Sequence, residues 1–224
     1  MEQTKHTSSQ YEMELQDIRD KLIYLGALTE KAIELAMQSL LERDSKLARN
    51  VIDSDAEIDR LDEELELMCI NVLALRQPAA KDLRFITTAI KINGHLERIG
   101  DMAVNIAEKA IILAQETQLK PYIDLPRMTE IVRNMIKESI DSFVNEDLVI
   151  AQNVTLQEDM VDKLNEQIFR ELLTFMMEDP RTIHRATIIM QISKNLERIA
   201  DHAKGIADMV IYLVTGKSVR HQAH

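Results

Sequence analysis

The chain is 224 residues long with a net charge of −11, 46% hydrophobic residues, no tryptophan, five glycines and four prolines. That balance excludes a β-sandwich in favour of aliphatic helices, and it makes nucleic acid a poor partner, because phosphate binding needs a basic face. Cys69 is the single cysteine, so no intrachain disulfide forms and a reducing compartment is expected.

Residues 1–10 are polar and aperiodic, lack the apolar core of a signal peptide, and read as a flexible arm. No apolar run approaches the roughly 20 residues that span a bilayer, so a soluble cytoplasmic protein is expected. From 11 to about 43, Leu15, Ile18, Leu22, Leu25, Leu28, Ala32, Leu35 and Leu40 recur at helical spacing. Asp44-Ser45 breaks that helix and caps the next. The second helix is predicted over about 46–75, on a stripe of Ile58, Leu61, Leu65, Met68 and Val72, and Gln77-Pro78 ends it. A third helix is predicted over about 79–116, with Ile92, Leu96, Ile99, Ala103, Ile106, Ala110 and Leu113 as its stripe.

Pro121 and Pro126 bracket a linker, and then the pattern restarts. The fourth helix is predicted over about 126–145, with Glu146-Asp147 as the turn, and the fifth runs to about Met177. Asp179-Pro180 breaks the chain as Gln77-Pro78 did, and a sixth helix runs from about Arg181 to Val214 and stops at Gly216. The reading is all-α: a tandem repeat of two antiparallel three-helix bundles, residues 11–118 and 119–224.

The two halves share one stretch. Residues 97–108 and 197–208 keep Glu, Arg, Ile, Asp, Ala, Ile and Ala at identical positions and an acid at the last, which marks an internal duplication. In each copy a Glu and an Asp stand four residues apart, placing two carboxylates on one helix face about 6 Å apart along the axis. At about 100° per residue, with Leu96 as zero, the third helix's core stripe centres near 310° and Glu97, Asp101, Asn105 and Glu108 centre near 140°, away from the core. The second helix has its own row, Asp55, Asp59, Asp62 and Glu66, and the fifth has Glu158, Asp162 and Asn165. Antiparallel neighbours bring Asp55 and Asp59 against Glu97 and Asp101, and Glu158 and Asp162 against Glu197 and Asp201. Four converging carboxylates repel one another. A hard cation (Mg²⁺, Ca²⁺, Mn²⁺ or iron) relieves that cost.

An acidic row on an exposed helix is ordinarily just solvated, and Arg98 and Arg198 offer partners. Four matched pairs across two halves shift the balance toward metal. His95, His184 and His202 complete no Glu-x-x-His pattern, His221 and His224 lie in the C-terminal tail, and Cys69 reads as a small buried hydrophobe. Most of the twelve methionines fall at core-like positions. No phosphate loop or nucleophile motif is present, which argues against an enzyme.

Several segments resemble the PhoU family of phosphate-transport regulators: residues 57–61 (EIDRL), 75–78 (LRQP), 82–85 (DLRF), 96–101 (LERIGD), 175–183 (FMMEDPRTI) and 196–203 (LERIADHA). The resemblance covers residues 12–221 and implies tandem three-helix bundles, with iron or zinc clusters on the surface in some members. It further implies a cytoplasmic homodimer without turnover. Such a protein represses the phosphate-starvation response by contacting the ATPase of the phosphate ABC transporter and a sensor histidine kinase, and meets the membrane only through those partners. The family's motifs map onto Asp55 and Asp59, Glu97 and Asp101, Glu158 and Asp162, and Glu197 and Asp201, with Asn105 following the first-half motif. The second half departs at Ala200, where Gly is usual, and at Gly205, where Asn is usual, so its metal set is expected to be the less complete. The competing readings are a carboxylate-bridged metalloenzyme on a helical bundle and a purely structural scaffold.

Overall fold

The computed structural model describes residues 2–217, with side chains from residue 10 onward. It contains α1 (Glu2–Glu42), α2 (Ser45–Arg76), α3 (Ala80–Ala114), α4 (Asp124–Asn145), α5 (Leu148–Glu178), a short 3-10 turn (Pro180–Thr182) and α6 (Ile183–Thr215). Among the described residues there is no strand. His221 and His224 lie outside them.

The turns are built from the residues that the sequence singles out. Asp44 accepts from the Lys46 and Leu47 amides, and Asp147 accepts from the Val149 and Ile150 amides, so each satisfies backbone donors that the first turn of its helix leaves open. Gln77 and Glu146 close α2 and α4 in the left-handed conformation, and Gly216 closes α6 at φ 70°. Helix α1 starts earlier than periodicity indicates. It includes residues 2–10, where no proline or glycine interrupts the backbone. Pro126 falls inside the first turn of α4 instead of bounding the linker; proline is tolerated there because the first-turn amides have no intrahelical acceptor. Before α6, Thr182 donates its hydroxyl to the Phe175 and Asp179 carbonyls, turning the chain through the 3-10 segment.

Helices α1, α2 and α3 pack on one another, as do α4, α5 and α6, and the halves join through α3 against α6 and α1 against α4. Every residue of the predicted α3 stripe is buried, and the core continues unbroken from one half into the other. Phe85 of α3 stacks on Phe143 of α4, ring centroids 5.2 Å apart, with the Arg19 guanidinium 4.4 Å from the Phe85 centroid. Arg133 of α4 reaches Glu30 of α1 at 2.9 Å. Arg43, at φ 57°, donates to the Leu113, Ala114 and Glu116 carbonyls, fastening the end of α1 to the end of α3.

Two sequence expectations fail in detail. Met68 is only half-buried, because Cys69 takes the fully buried place beside it. Of the methionines, Met37, Met102, Met128 and Met135 are in the core, but Met13, Met160 and Met177 are exposed and Met176, Met190 and Met209 half-buried. Periodicity cannot tell a core stripe from an apolar stripe with no helix over it.

Candidate functional site

The α2 and α3 rows meet as antiparallel packing requires. Gly100 lets the helices approach closely here: a Cβ would stand 3.1 Å from an Asp55 carboxylate oxygen and 3.2 Å from the Ile58 side chain, a tight fit, whereas the second half accommodates Ala200 at the same position. Burial pushes the Asp55 carboxyl up to about 6, and the Asp59 and Asp101 charges add to it. Burial also raises Glu97, with Asp101 next in effect, Arg98 opposing, and Asp62 and Asp59 contributing. Asp55, Asp59, Glu97 and Asp101 therefore form one electrostatic cluster. Arg98 partly offsets it, lying 3.2 Å from Glu97 and 3.1 Å from Asp101. Asn105 turns back on its own helix, its amide donating to the Asp101 carbonyl at 2.9 Å.

Asp62 is held by a residue that sequence reasoning passed over. The Asn93 side chain is 2% exposed and donates to both the Asp62 carboxylate (2.6 Å) and the Asp62 carbonyl (2.9 Å), locking α2 to α3 beside the cluster. In the second half Ser193 stands in the Asn93 position and donates to Asn165 at 2.6 Å. That paired change was visible in the duplication.

Glu158, Asp162, Glu197 and Asp201 converge in the same way between α5 and α6. Burial pushes Asp201 up to about 6, with Glu197, Glu158 and Asp162 adding to it. Burial raises Asp162, followed by Glu158 and Glu197, with Lys204 opposing. Here the chain supplies its own cations: Lys204 pairs with Glu158, and Lys194 sits 2.5 Å from Glu197. The donor chemistry of both clusters, carboxylate oxygen only, fits a hard cation. The geometry does not close around one, since no group of three or more His, Cys, Asp or Glu side chains among the described residues is arranged to hold a metal ion.

Between the clusters runs the α3–α6 seam. His95 and His202 bring their Nδ1 atoms to 2.9 Å across it, with the rings edge to face. Burial lowers His202 below the usual histidine value, and Arg198 and Arg98 lower it further. From sequence, neither histidine completes a ligand pattern and Gly205 reads as a gap in the second carboxylate set. Its missing side chain serves the seam instead: a Cβ at Gly205 would stand 2.7 Å from His95 Cε1. The signal lay in the departures from the repeat, since His95, His202 and Gly205 stand opposite Asn195, Met102 and Asn105 in the other copy. His184 lies apart, 3.2 Å from Glu116, and Cys69 is fully buried with its thiol pushed up to about 12 by burial, then by Glu66.

The family model for the PhoU domain matches this chain twice, over residues 22–110 and 125–210. The chain belongs to the PhoU family. Among similar proteins, the phosphate-specific transport system accessory protein PhoU homolog of Aquifex aeolicus is 44% identical over 209 residues, covering 93% of this chain and 95% of that protein. The protein so described from Pseudomonas putida is 40% identical over 219 residues, covering 97% and 86% respectively. In three dimensions the crystal structure of PhoU from Pseudomonas aeruginosa superposes with a TM-score of 0.89 at 39% identity, over 92% of this chain and 100% of that one. The phosphate transport system regulatory protein PhoU from Streptococcus pneumoniae gives 0.86 at 26% identity, over 93% and 99%. The PhoU fold is thus shared over nearly the whole chain. No described helix is long and apolar enough to cross a membrane.

Proposed function

We propose that this chain is a non-enzymatic accessory protein of a phosphate-specific transport system, and that it represses the phosphate-starvation response when phosphate is plentiful. The observation that carries this reading is near-full-length similarity, at 40% and 44% identity, to proteins described as accessory to that system. Its partners in this reading are the ATPase of the phosphate ABC transporter and a sensor histidine kinase. It works in the cytoplasm as a homodimer and reaches the membrane through those partners. The α2–α3 carboxylates, Asp55, Asp59, Glu97 and Asp101, take up iron or zinc, or another divalent ion, with their side chains rearranging to converge on it. The bound ion relieves their repulsion and fixes α2 against α3. The second-half set is neutralised from within by Lys204 and Lys194 and is the weaker metal candidate.

The test is twofold. Purified chain and transporter ATPase should form a complex in a direct binding assay. Deletion of the gene should derepress a phosphate-starvation reporter in phosphate-replete cells, and the wild-type gene should restore repression. No complex together with an unchanged reporter would sink the reading.

A further inference from the structure

A groove of about 540 Å³ lies between α5 and α6, beside the second carboxylate cluster. Ile168, Phe169 and Met190 form its apolar lining, and Asp162, Glu166 and Glu197 contribute carboxylates. Phe169 is 49% exposed, which matters here because it is one of a run of exposed apolar side chains. Leu173 and Met177 follow at i+4 and i+8 from Phe169 and are exposed as well, so the apolar surface leaves the groove and continues along α5 for about 12 Å. Ile183, at the start of α6, is also exposed. The first half repeats this stripe only in part. At the spacing that aligns Asp59 with Asp162, Ile70 stands where Leu173 does and is exposed as well, but Glu66 and Ala74 stand where Phe169 and Met177 do, so the aromatic end that borders the groove is missing.

We propose that this groove and its stripe receive a cationic amphipathic helix from a partner protein. The helix would lay its apolar side chains on Phe169, Met190 and Leu173 and set Lys or Arg against Asp162 and Glu166. The inference rests on the accessory-protein reading for its having a protein partner. Charge selects the occupant. Asp162 has Glu158, Glu197 and Asp159 around it and Lys204 alone in opposition, Lys194 is engaged with Glu197, and Arg170 with Glu166. A second copy of this chain, at −11, would bring another acidic rim against this one. An anionic lipid surface would be repelled for the same reason. A helix suits a stripe with i, i+4, i+8 spacing, and the unbranched Met190 and Met177 adapt to its side chains.

The experiment measures fluorescence anisotropy of a labelled 18-residue Leu/Lys amphipathic helix against the full chain. The controls are a Leu/Glu helix of the same pattern and a Leu/Lys peptide scrambled to remove its apolar face. The variants are Phe169→Glu, which copies the first-half residue, and Gln191→Arg on the α6 wall. Both positions are exposed, and circular dichroism checks the fold. The wild type should bind the Leu/Lys helix at least tenfold more tightly than either control peptide, and each variant should lose at least tenfold. Phe169→Glu is the sharper variant, because it adds negative charge: simple attraction between a cationic peptide and an acidic protein would be unchanged or stronger. That outcome overturns the proposal, as does failure of the wild type to bind. A wild-type dimer that Phe169→Glu dissociates in sedimentation would assign the groove to a second copy and overturn it too. Binding of the wild type to the transporter ATPase is measured separately. Its failure removes the accessory reading and leaves the peptide result standing.

Discussion

His95 Nδ1 and His202 Nδ1 lie 2.9 Å apart across the α3–α6 seam, with the His95 ring seated against the bare backbone of Gly205. One imidazole must donate and the other accept, so the pair fixes both rings and leaves His95 little freedom to retreat. Gly205→Ala is therefore expected to destabilise the protein by about 1–2 kcal/mol through overpacking. In a His95→Ala background the same change should stabilise by roughly 0.5–1 kcal/mol, the ordinary gain of alanine over glycine inside a helix. Urea unfolding of the four proteins checks both signs, and a cost that persists without the His95 ring would refute the contact as its cause.

Asp55 provides a pH test. Its carboxyl titrates near 6 in the folded chain, against about 4 for an ordinary carboxylate. A raised value means that the fold disfavours the ionised form: the penalty is complete above about pH 6 and fades as pH falls toward 4, where the folded chain binds the proton first. Asp55→Asn should accordingly raise stability at pH 7.5, by about 1 kcal/mol after solvent screening. The gain should shrink below pH 6 and be gone near pH 4. Thermal unfolding in chelator at several pH values reads this directly, and a gain independent of pH would contradict the charge argument.

Asn93 should matter more than its place outside the acidic rows indicates. Truncation to alanine removes both donors to Asp62 and opens a small void. A buried hydrogen bond to a charged group contributes about 1.5–3 kcal/mol, so Asn93→Ala should cost that much in urea denaturation. Loss of less than 0.5 kcal/mol would show that water replaces the amide without penalty.

Metal uptake should distinguish the halves. Chain purified without an affinity tag, stripped and reloaded, is expected to hold metal that Glu97→Gln/Asp101→Asn removes. Lys204→Gln frees Glu158 from its ion pair and should raise uptake by the second half about tenfold, since one pairing charge removed beside a partly buried site is worth on the order of 1 kcal/mol or more. Elemental analysis and titration calorimetry measure both. A wild type that stays metal-free under loading would leave the carboxylate rows as protein-contact surface.

The sequence by itself determined the helices, their breaks and the carboxylate rows. Each rests on local rules: a 3.6-residue period, caps such as Asp44 and Asp147, and prolines that cannot extend a ladder. The rows of the second and fifth helices flank their core stripes, so antiparallel neighbours are expected to bring them against those of the third and sixth, and the duplication applies the same expectation to both halves. Tertiary structure decided what each charge meets. Lys204 lies on Glu158, Asn93 locks Asp62, and His95 reaches His202 over Gly205, all through contacts between helices whose axial offset no single period encodes. Phe169, Leu173 and Met177 are exposed although i, i+4, i+8 spacing suits a core stripe equally well. Burial depends on which neighbour is present, and an amphipathic pattern records only that a helix has an apolar face.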